Sequence, residues 1–190
     1  MEQANLFIPF DDPDAALIRR MASGEVHALD ELYTRFGPAI LSYLAARLYD
    51  RALAEEVLQD VMLAVWRSAA SFRGESKVLT WMLTIARNRA INTMRKHNVT
   101  QTPLDDVFEI QSPDTGPQEK VEKLNQSAMV RRALWTLPEM QREILELVFY
   151  QQLSGAEVAD VLGINTGTVK SRLHRAKEAL RQALYTEGGL

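Results

Sequence analysis

Basic side chains gather in two stretches of this chain, and any chemistry that needs cations starts there. Between Glu75 and Asp105 there is no acid, while Lys77, Arg87, Arg89, Arg95 and Lys96 all fall in that interval. From Lys170 to Arg181 the bases Lys170, Arg172, Arg175, Lys177 and Arg181 face a single acid, Glu178. Local stripes of this kind suit phosphate, and Arg and Lys can also donate to guanine O6 and N7. A solvated helix face explains the charges equally well. Beside the first stretch, Lys77, Thr80, Thr84, Arg87, Asn88, Ile91 and Arg95 recur at helical spacing. Their cations suit phosphates, and their Thr and Asn groups suit base edges. Just ahead lies Ser71-Phe72-Arg73-Gly74-Glu75-Ser76. Such a loop could hold an unstacked base by aromatic and polar contacts, although Phe72 would serve equally as a core anchor.

Other chemistries lack their residues. With no cysteine, disulfide scaffolds, iron–sulfur clusters, Cys-ligated zinc and a Cys nucleophile are excluded. His27, His97 and His174 are widely separated, with no HExxH, GxxxxGK[ST] or GxGxxG pattern. The carboxylates show no metal or acid/base spacing. No enzymatic activity, cofactor or metal is therefore expected. No apolar run approaches the roughly 18–20 residues that span a bilayer. The first residues carry Glu2, Asp11, Asp12 and Asp14, unlike a secretory signal, so a cytoplasmic location is expected.

The 190 residues, 46% hydrophobic and 25% charged with net charge −3, suit one large or two small globular domains. Helical spacing dominates and strand signals are scarce. The expected fold is all-α: two small helical domains, 1–97 and 127–190, joined by a flexible linker over 98–126. That segment holds Pro103, Pro113, Pro117 and Gly116, and six acids (Asp105, Asp106, Glu109, Asp114, Glu119, Glu122) against Lys120 and Lys123. The composition reads as a tether. An ordered loop docked through Leu104, Val107, Phe108 and Ile110 is the alternative. As a tether, its acids could screen the basic stripes of the free chain.

In the first domain, Asp14 to Met21 reads as a short helix capped by Asp14. A second begins near His27 and is interrupted at Gly37-Pro38, and a third covers Pro38 to about Tyr49. A fourth covers about Leu53 to Ser71, with Val57, Leu58, Val61 and Val65 inward. Leu63 and Trp66 fall on its other side among Glu56, Gln59 and Asp60. Large apolar groups on a polar face suit a protein partner, or packing against another helix of the same domain. A fifth helix, about Val78 to Lys96, can turn Trp81, Met82, Ile85, Ala86 and Ala90 to the core.

In the second domain, Ser154 and Glu157 fit a capping box with Leu153 and Val158 as a staple. Gly163 stops that helix, and Thr166 can cap the next. A short helix, a tight turn and a second helix make a helix-turn-helix. On the second helix Val169, Leu173, Ala176, Leu180 and Leu184 form an apolar stripe. Lys170, Ser171, His174 and Arg175 lie opposite, flanked by Arg172 and Lys177. A recognition helix places such groups in the major groove, and a tri-helical packing module with a soluble outer face is the other reading.

Taken together these segments resemble a known family. Ala54-Glu55-Glu56-Val57-Leu58-Gln59-Asp60-Val61 with Val65-Trp66-Arg67 is similar to the core-polymerase-binding helix of extracytoplasmic-function (ECF) sigma factors. Ser71-Phe72-Arg73-Gly74, Thr80-Trp81-Met82 and Ile85-Ala86-Arg87-Asn88 resemble their promoter-melting and −10 segment. Leu137-Pro138-Glu139, Gln141-Arg142-Glu143, Leu153-Ser154 and Glu157-Val158-Ala159 resemble their C-terminal domain, and Gly167 to Ala176 resembles its −35 recognition helix. Leu79 and Gly155 depart from the usual pattern, which often has an aromatic at the first and a larger residue at the second.

The resemblance implies an initiation subunit that binds core RNA polymerase at its clamp helices through Glu55, Glu56, Gln59, Asp60, Leu63 and Trp66. The −10 element, melted, would meet Phe72, Arg73, Ser76, Lys77, Thr80, Thr84, Arg87, Asn88, Ile91 and Arg95. The −35 duplex would meet Thr168, Lys170, Ser171, Arg172, His174 and Arg175. It also implies an anti-sigma factor as a partner. A competing reading is a dimeric helix-turn-helix regulator that binds a duplex operator without polymerase. That reading accounts for residues 127–184 and leaves the Arg73–Arg95 constellation unexplained.

Overall fold

The computed structural model describes residues 12–97 and 129–186. The expectations placed on the linker, including its acids and its docking alternative, lie outside the described residues. All regular structure among the described residues is helical. The chain divides into two compact units, one through residue 100 and the other from residue 101.

The first unit holds α1 (Ala15–Ala22), α2 (Val26–Leu48), α3 (Arg51–Ser68), a 3-10 turn (Ala69–Ser71) and α4 (Val78–His97). Helix α2 packs against α1, α3 and α4, while α3 packs against α4 and α1 against the 3-10 turn. Ile18, Leu32, Ile40, Tyr43, Leu44, Leu48, Val61, Val65, Met82 and Leu83 are wholly or almost wholly buried between them.

The expected break at Gly37-Pro38 does not occur, and α2 runs unbroken with Pro38 inside it. A proline in a helix interior costs about 3 kcal/mol. Here the residue before it is Gly37, which has no Cβ to clash with the proline ring. Phe36, Ile40, Tyr43 and Leu44, on either side of the proline, are all buried. At roughly 1.5–3 kcal/mol for each large apolar side chain, keeping one continuous face outweighs the lost hydrogen bond.

Helices α2 and α3 meet at a two-residue corner. Tyr49 is left-handed (φ 57°), and its amide donates to the Ala45 carbonyl. Asp50 then caps α3, its carboxylate accepting from the Leu53 amide at 3.1 Å. Asp14, expected to cap α1, precedes it in helical conformation and makes no side-chain cap bond. Its carboxylate pairs with Arg35 instead, while the Asp12 carbonyl accepts from the Ala15 amide at 3.0 Å.

The second unit holds α5 (described over 129–135), α6 (Glu139–Phe149), α7 (Gly155–Leu162) and α8 (Thr166–Thr186). Helix α8 packs on α6 and α7, and α6 on α7. Ile144, Leu147, Val158, Val161, Val169 and Ala176 are buried there. The capping box forms in full: the Glu157 amide donates to Ser154 Oγ at 3.3 Å, and the Ser154 amide to Glu157 Oε2 at 2.7 Å. Gly163 is left-handed (φ 65°), and the Ile164 amide reaches back to the Ala159 carbonyl at 3.1 Å, a Schellman-type stop. The cap of α8 is Asn165 and not Thr166. Its Oδ1 accepts from the Thr168 amide at 2.7 Å and from the Thr168 hydroxyl at 2.9 Å.

Candidate nucleic-acid interfaces

On α3 the inward stripe and the outer face separate as the helical spacing predicts. Val57, Leu58, Val61 and Val65 are buried, while Glu55, Glu56, Gln59 and Asp60 are exposed. Leu63 is 50% exposed, so it does not pack inside its own domain. Trp66 is half-buried. Glu55 is drawn to Arg51 one turn back, Nε to Oε1 at 3.2 Å. The face is therefore an acidic rim around a Leu and part of a Trp, a composition suited to a protein partner.

The loop between the 3-10 turn and α4 contains Gly74 at φ 70°, a conformation that side chains disfavour. Phe72 is half-buried, and its ring lies 4.8 Å from that of Trp81 at 47°, within the range of attractive aromatic pairs. Arg73 is exposed beside Glu75, Nη1 to Oε1 at 3.8 Å. Ser76 is half-buried and its hydroxyl donates to the Lys77 carbonyl at 3.4 Å. Lys77, Asn88 and Arg95 are exposed, whereas Thr84, Arg87 and Ile91 are half-buried.

Thr80 does not belong to this face. It is fully buried, and its backbone carbonyl accepts the Thr84 hydroxyl at 2.9 Å. Thr80 and Arg87 are seven residues apart and so share one side of the helix, the side that turns inward near its start. The same phase rule brings Trp81 to the side of Asn88. Trp81 is half-buried rather than a core residue, and Arg89 and Asn92 are exposed nearby. Counting sevens from Asn88 finds Trp81 in the sequence; the strong apolar character of Trp hides it. Arg89, Arg95 and Lys96 have no ion-pair partner among the described residues, so their charge remains available to phosphate.

On α8, Lys170, Ser171, His174 and Arg175 are exposed, opposite buried Val169 and Ala176. Arg172 and Thr168 are half-buried. The Thr168 amide and hydroxyl are both taken by Asn165, so Thr168 shapes the start of the helix. Lys170 and Arg175 have no ion-pair partner among the described residues. Lys177 sits with Nζ 5.4 Å from the centre of the Phe149 ring, a cation–π distance. Further along, Arg181 donates to Glu178 Oε1 at 2.6 Å, and this guanidinium holds the Glu178 carboxyl below its ordinary value. The compensated charges thus lie toward the C-terminal end, and the uncompensated ones at the end that follows the tight turn.

A capped short helix, a three-residue turn and a second helix with an unpaired basic face define a helix-turn-helix DNA-binding protein. A Sigma-70 region 2 model matches residues 32–100, and a Sigma-70, region 4 model matches residues 127–180. The chain is 37% identical over 158 residues to the ECF RNA polymerase sigma factor RpoE of Cereibacter sphaeroides, covering 82% of this chain and 85% of that protein. It is 33% identical over 174 residues to the ECF RNA polymerase sigma factor SigM of Mycobacterium tuberculosis, covering 90% and 84%. Among solved structures, the fold is similar to that of CnrH in complex with the cytosolic domain of CnrY. The TM-score is 0.66 at 24% identity, over 91% of this chain and 97% of that one. RpoE of Bartonella quintana, solved with the anti-sigma factor NepR, gives a TM-score of 0.65 at 24% identity over 84% and 98%. The chain belongs to the ECF RNA polymerase sigma factor family, whose members are DNA-binding transcription initiation factors.

Proposed function

We propose that three surfaces of this chain divide the work of promoter-specific initiation. The outer face of α3 docks on the clamp helices of core RNA polymerase. The Phe72–Lys77 loop and the outer face of α4, including Arg87, Asn88, Ile91 and Arg95, capture the melted −10 strand. Lys170, Ser171, Arg172, His174 and Arg175 read the −35 duplex from α8. Residues 1–97 and 127–190 act as the two working domains, and 98–126 spans between them on the polymerase. Bond-making chemistry belongs to the polymerase, and this chain needs no cofactor. The site of action is the cytoplasm, at the nucleoid when polymerase is bound. Among the described residues no helix is long and apolar enough to cross a membrane.

The observation that carries this reading is the pairing of an uncompensated basic face on α8 with an exposed acidic–apolar face on α3. An operator-binding regulator has use for the first and none for the second. Control by an anti-sigma factor is supported by solved structures of the same fold, one in complex with the cytosolic domain of CnrY and one with the anti-sigma factor NepR. The test is run-off transcription of fragmented genomic DNA with sigma-free core polymerase and this chain, followed by sequencing of transcript ends. Discrete starts preceded by a shared two-part motif are expected. Unchanged background transcription from a demonstrably folded chain would overturn the reading.

A further inference from the structure

Helix α4 begins at Val78. The residue at its cap position is Lys77, whose carbonyl accepts from the Trp81 amide at 3.0 Å. A lysine side chain offers no acceptor to the free amides of the first turn, and its positive charge opposes the helix dipole. The missing acceptor comes from Asp12, 66 residues away in sequence: the Val78 amide donates to Asp12 Oδ2 at 2.6 Å. The other oxygen, Oδ1, accepts from the Asp14 amide at 3.0 Å, and the Asp12 carbonyl accepts from the Ala15 amide at 3.0 Å. One residue therefore starts two helices. Helix α1, which begins there, also packs against the 3-10 turn Ala69–Ser71.

These contacts bracket the Phe72–Lys77 loop. Its entry follows a turn that rests on α1, and its exit is the amide held by Asp12. We infer that Asp12 is a positioning residue for the −10 strand, fixing the exit of the loop so that Phe72 and the outer face of α4 are set before DNA arrives. The inference rests on the proposed division of labour. It also goes beyond the family match, whose region 2 model begins at residue 32 and leaves Asp12 outside. A carboxylate at this place does two things at once. It satisfies the first turn of α4, and it lets a cation occupy the cap position next to incoming phosphates.

The experiment uses the full chain with core polymerase and a forked promoter fragment carrying a single-stranded −10 segment, its sequence taken from the transcript mapping above. Asp12→Ala should weaken capture of the forked fragment roughly five- to tenfold, in line with loss of a helix cap. Affinity for core polymerase and for −35 duplex should stay within twofold. Asp12→Asn keeps an acceptor in place and should stay within about threefold of the parent chain. Asp14→Ala, which removes the neighbouring pair with Arg35, should affect capture less than Asp12→Ala. Equal capture by Asp12→Ala and the parent chain overturns the inference. So does a loss of core affinity as large as the loss of capture, because that marks a general folding role. Failure of the parent holoenzyme to hold the fork would instead bring down the functional reading itself, a result distinct from either.

Discussion

Helices α4 and α8 both turn uncompensated bases to solvent, yet they are started in different ways. Helix α8 is begun by its own neighbours: Gly163 reverses the chain, Asn165 caps, and Thr168 answers the cap. Helix α4 is begun by a residue 66 positions earlier. The surfaces differ accordingly. On α8 the exposed face is polar and cationic, as suits the edges of a duplex that keeps its stack. At the start of α4 Phe72 and Trp81 form an aromatic pair, as suits a strand taken out of its stack. A locally encoded helix can be carried as a module, whereas a helix fixed by a distant residue holds its loop in register with the rest of the domain.

The sharpest way to break this contrast is a pair of crossed substitutions in the polymerase-bound chain. Arg175→Ala should cost about 1–3 kcal/mol in binding to −35 duplex and lower the salt dependence by roughly one phosphate contact. Capture of the forked −10 fragment should not change. Phe72→Ala should do the reverse, costing about 1–3 kcal/mol on the fork through lost stacking and leaving the duplex untouched. Titrations of both fragments at several salt concentrations would show it, and a variant that weakens both fragments equally would erase the distinction.

A smaller effect tests the local start of α8. Asn165→Ala should destabilise the second unit by about 1 kcal/mol, while Thr166→Ala should stay within about 0.5 kcal/mol. Denaturant unfolding followed by amide exchange in α8 separates the two, and the opposite ranking would return the cap to Thr166. At the start of α7, Gly155 has ordinary backbone geometry and open space where a Cβ would stand. Gly155→Ala should therefore stabilise by about 0.4–1 kcal/mol, read as a higher midpoint at unchanged slope.

Acid should act in opposite directions at two places, the Arg20 cluster in the first unit and Asp160 in the second, where Glu178 behaves as the first unit's carboxyls do. Arg20 donates through Nε to Glu25 Oε2 at 3.0 Å and through Nη1 to Glu31 Oε2 at 2.9 Å. Its hydrogen bonds hold both carboxyls below their ordinary value of 4.5. The unfolded chain then binds more protons than the folded one. This contribution is present above about pH 4.5 and fades as pH falls through the lower folded values. Asp160 runs the other way. Partial burial and then the Glu157 charge raise its carboxyl above 3.8, so the folded state binds the extra proton and gains stability on acidification through that range. Arg20→Gln should flatten the acid loss in the first unit, and Asp160→Asn should remove the opposing slope in the second. Amide exchange between pH 6 and pH 3, resolved by unit, checks the signs; these exposed groups make it the smallest of the effects.

How much of this was legible depended on where the determining groups lay. The capping box at Ser154, the stop at Gly163 and the two faces of α3 and α8 are set by residues within a few positions of one another, and spacing alone locates them. The continuity of α2 was not legible, because the rule for Pro38 is local while the burial of Phe36, Ile40 and Tyr43 that overrides it is tertiary. Thr80 and Trp81 exchanged places for a related reason. Residue type suggested a polar outside and an apolar inside, but the phase of α4 near its first turn put the hydroxyl in and the indole half out. Asn165 and Thr166 are both good caps by residue type, and only the backbone decides between them. Asp12 had no local signal at all, since its partner is an amide that every residue but proline possesses.

The corner at Tyr49 and Asp50 has a consequence for how this surface can diverge. Two helices meet there with no spare residue, one closed by a left-handed tyrosine and the next opened by an aspartate. The direction in which α3 points is thus inherited from α2, whatever side chains its outer face carries. Descendants of this chain can exchange Glu56, Gln59 or Leu63 to suit a new partner without re-aiming the helix. Insertions at the corner itself should be rare in such lineages, because one added residue would release the angle on which every substituted face depends.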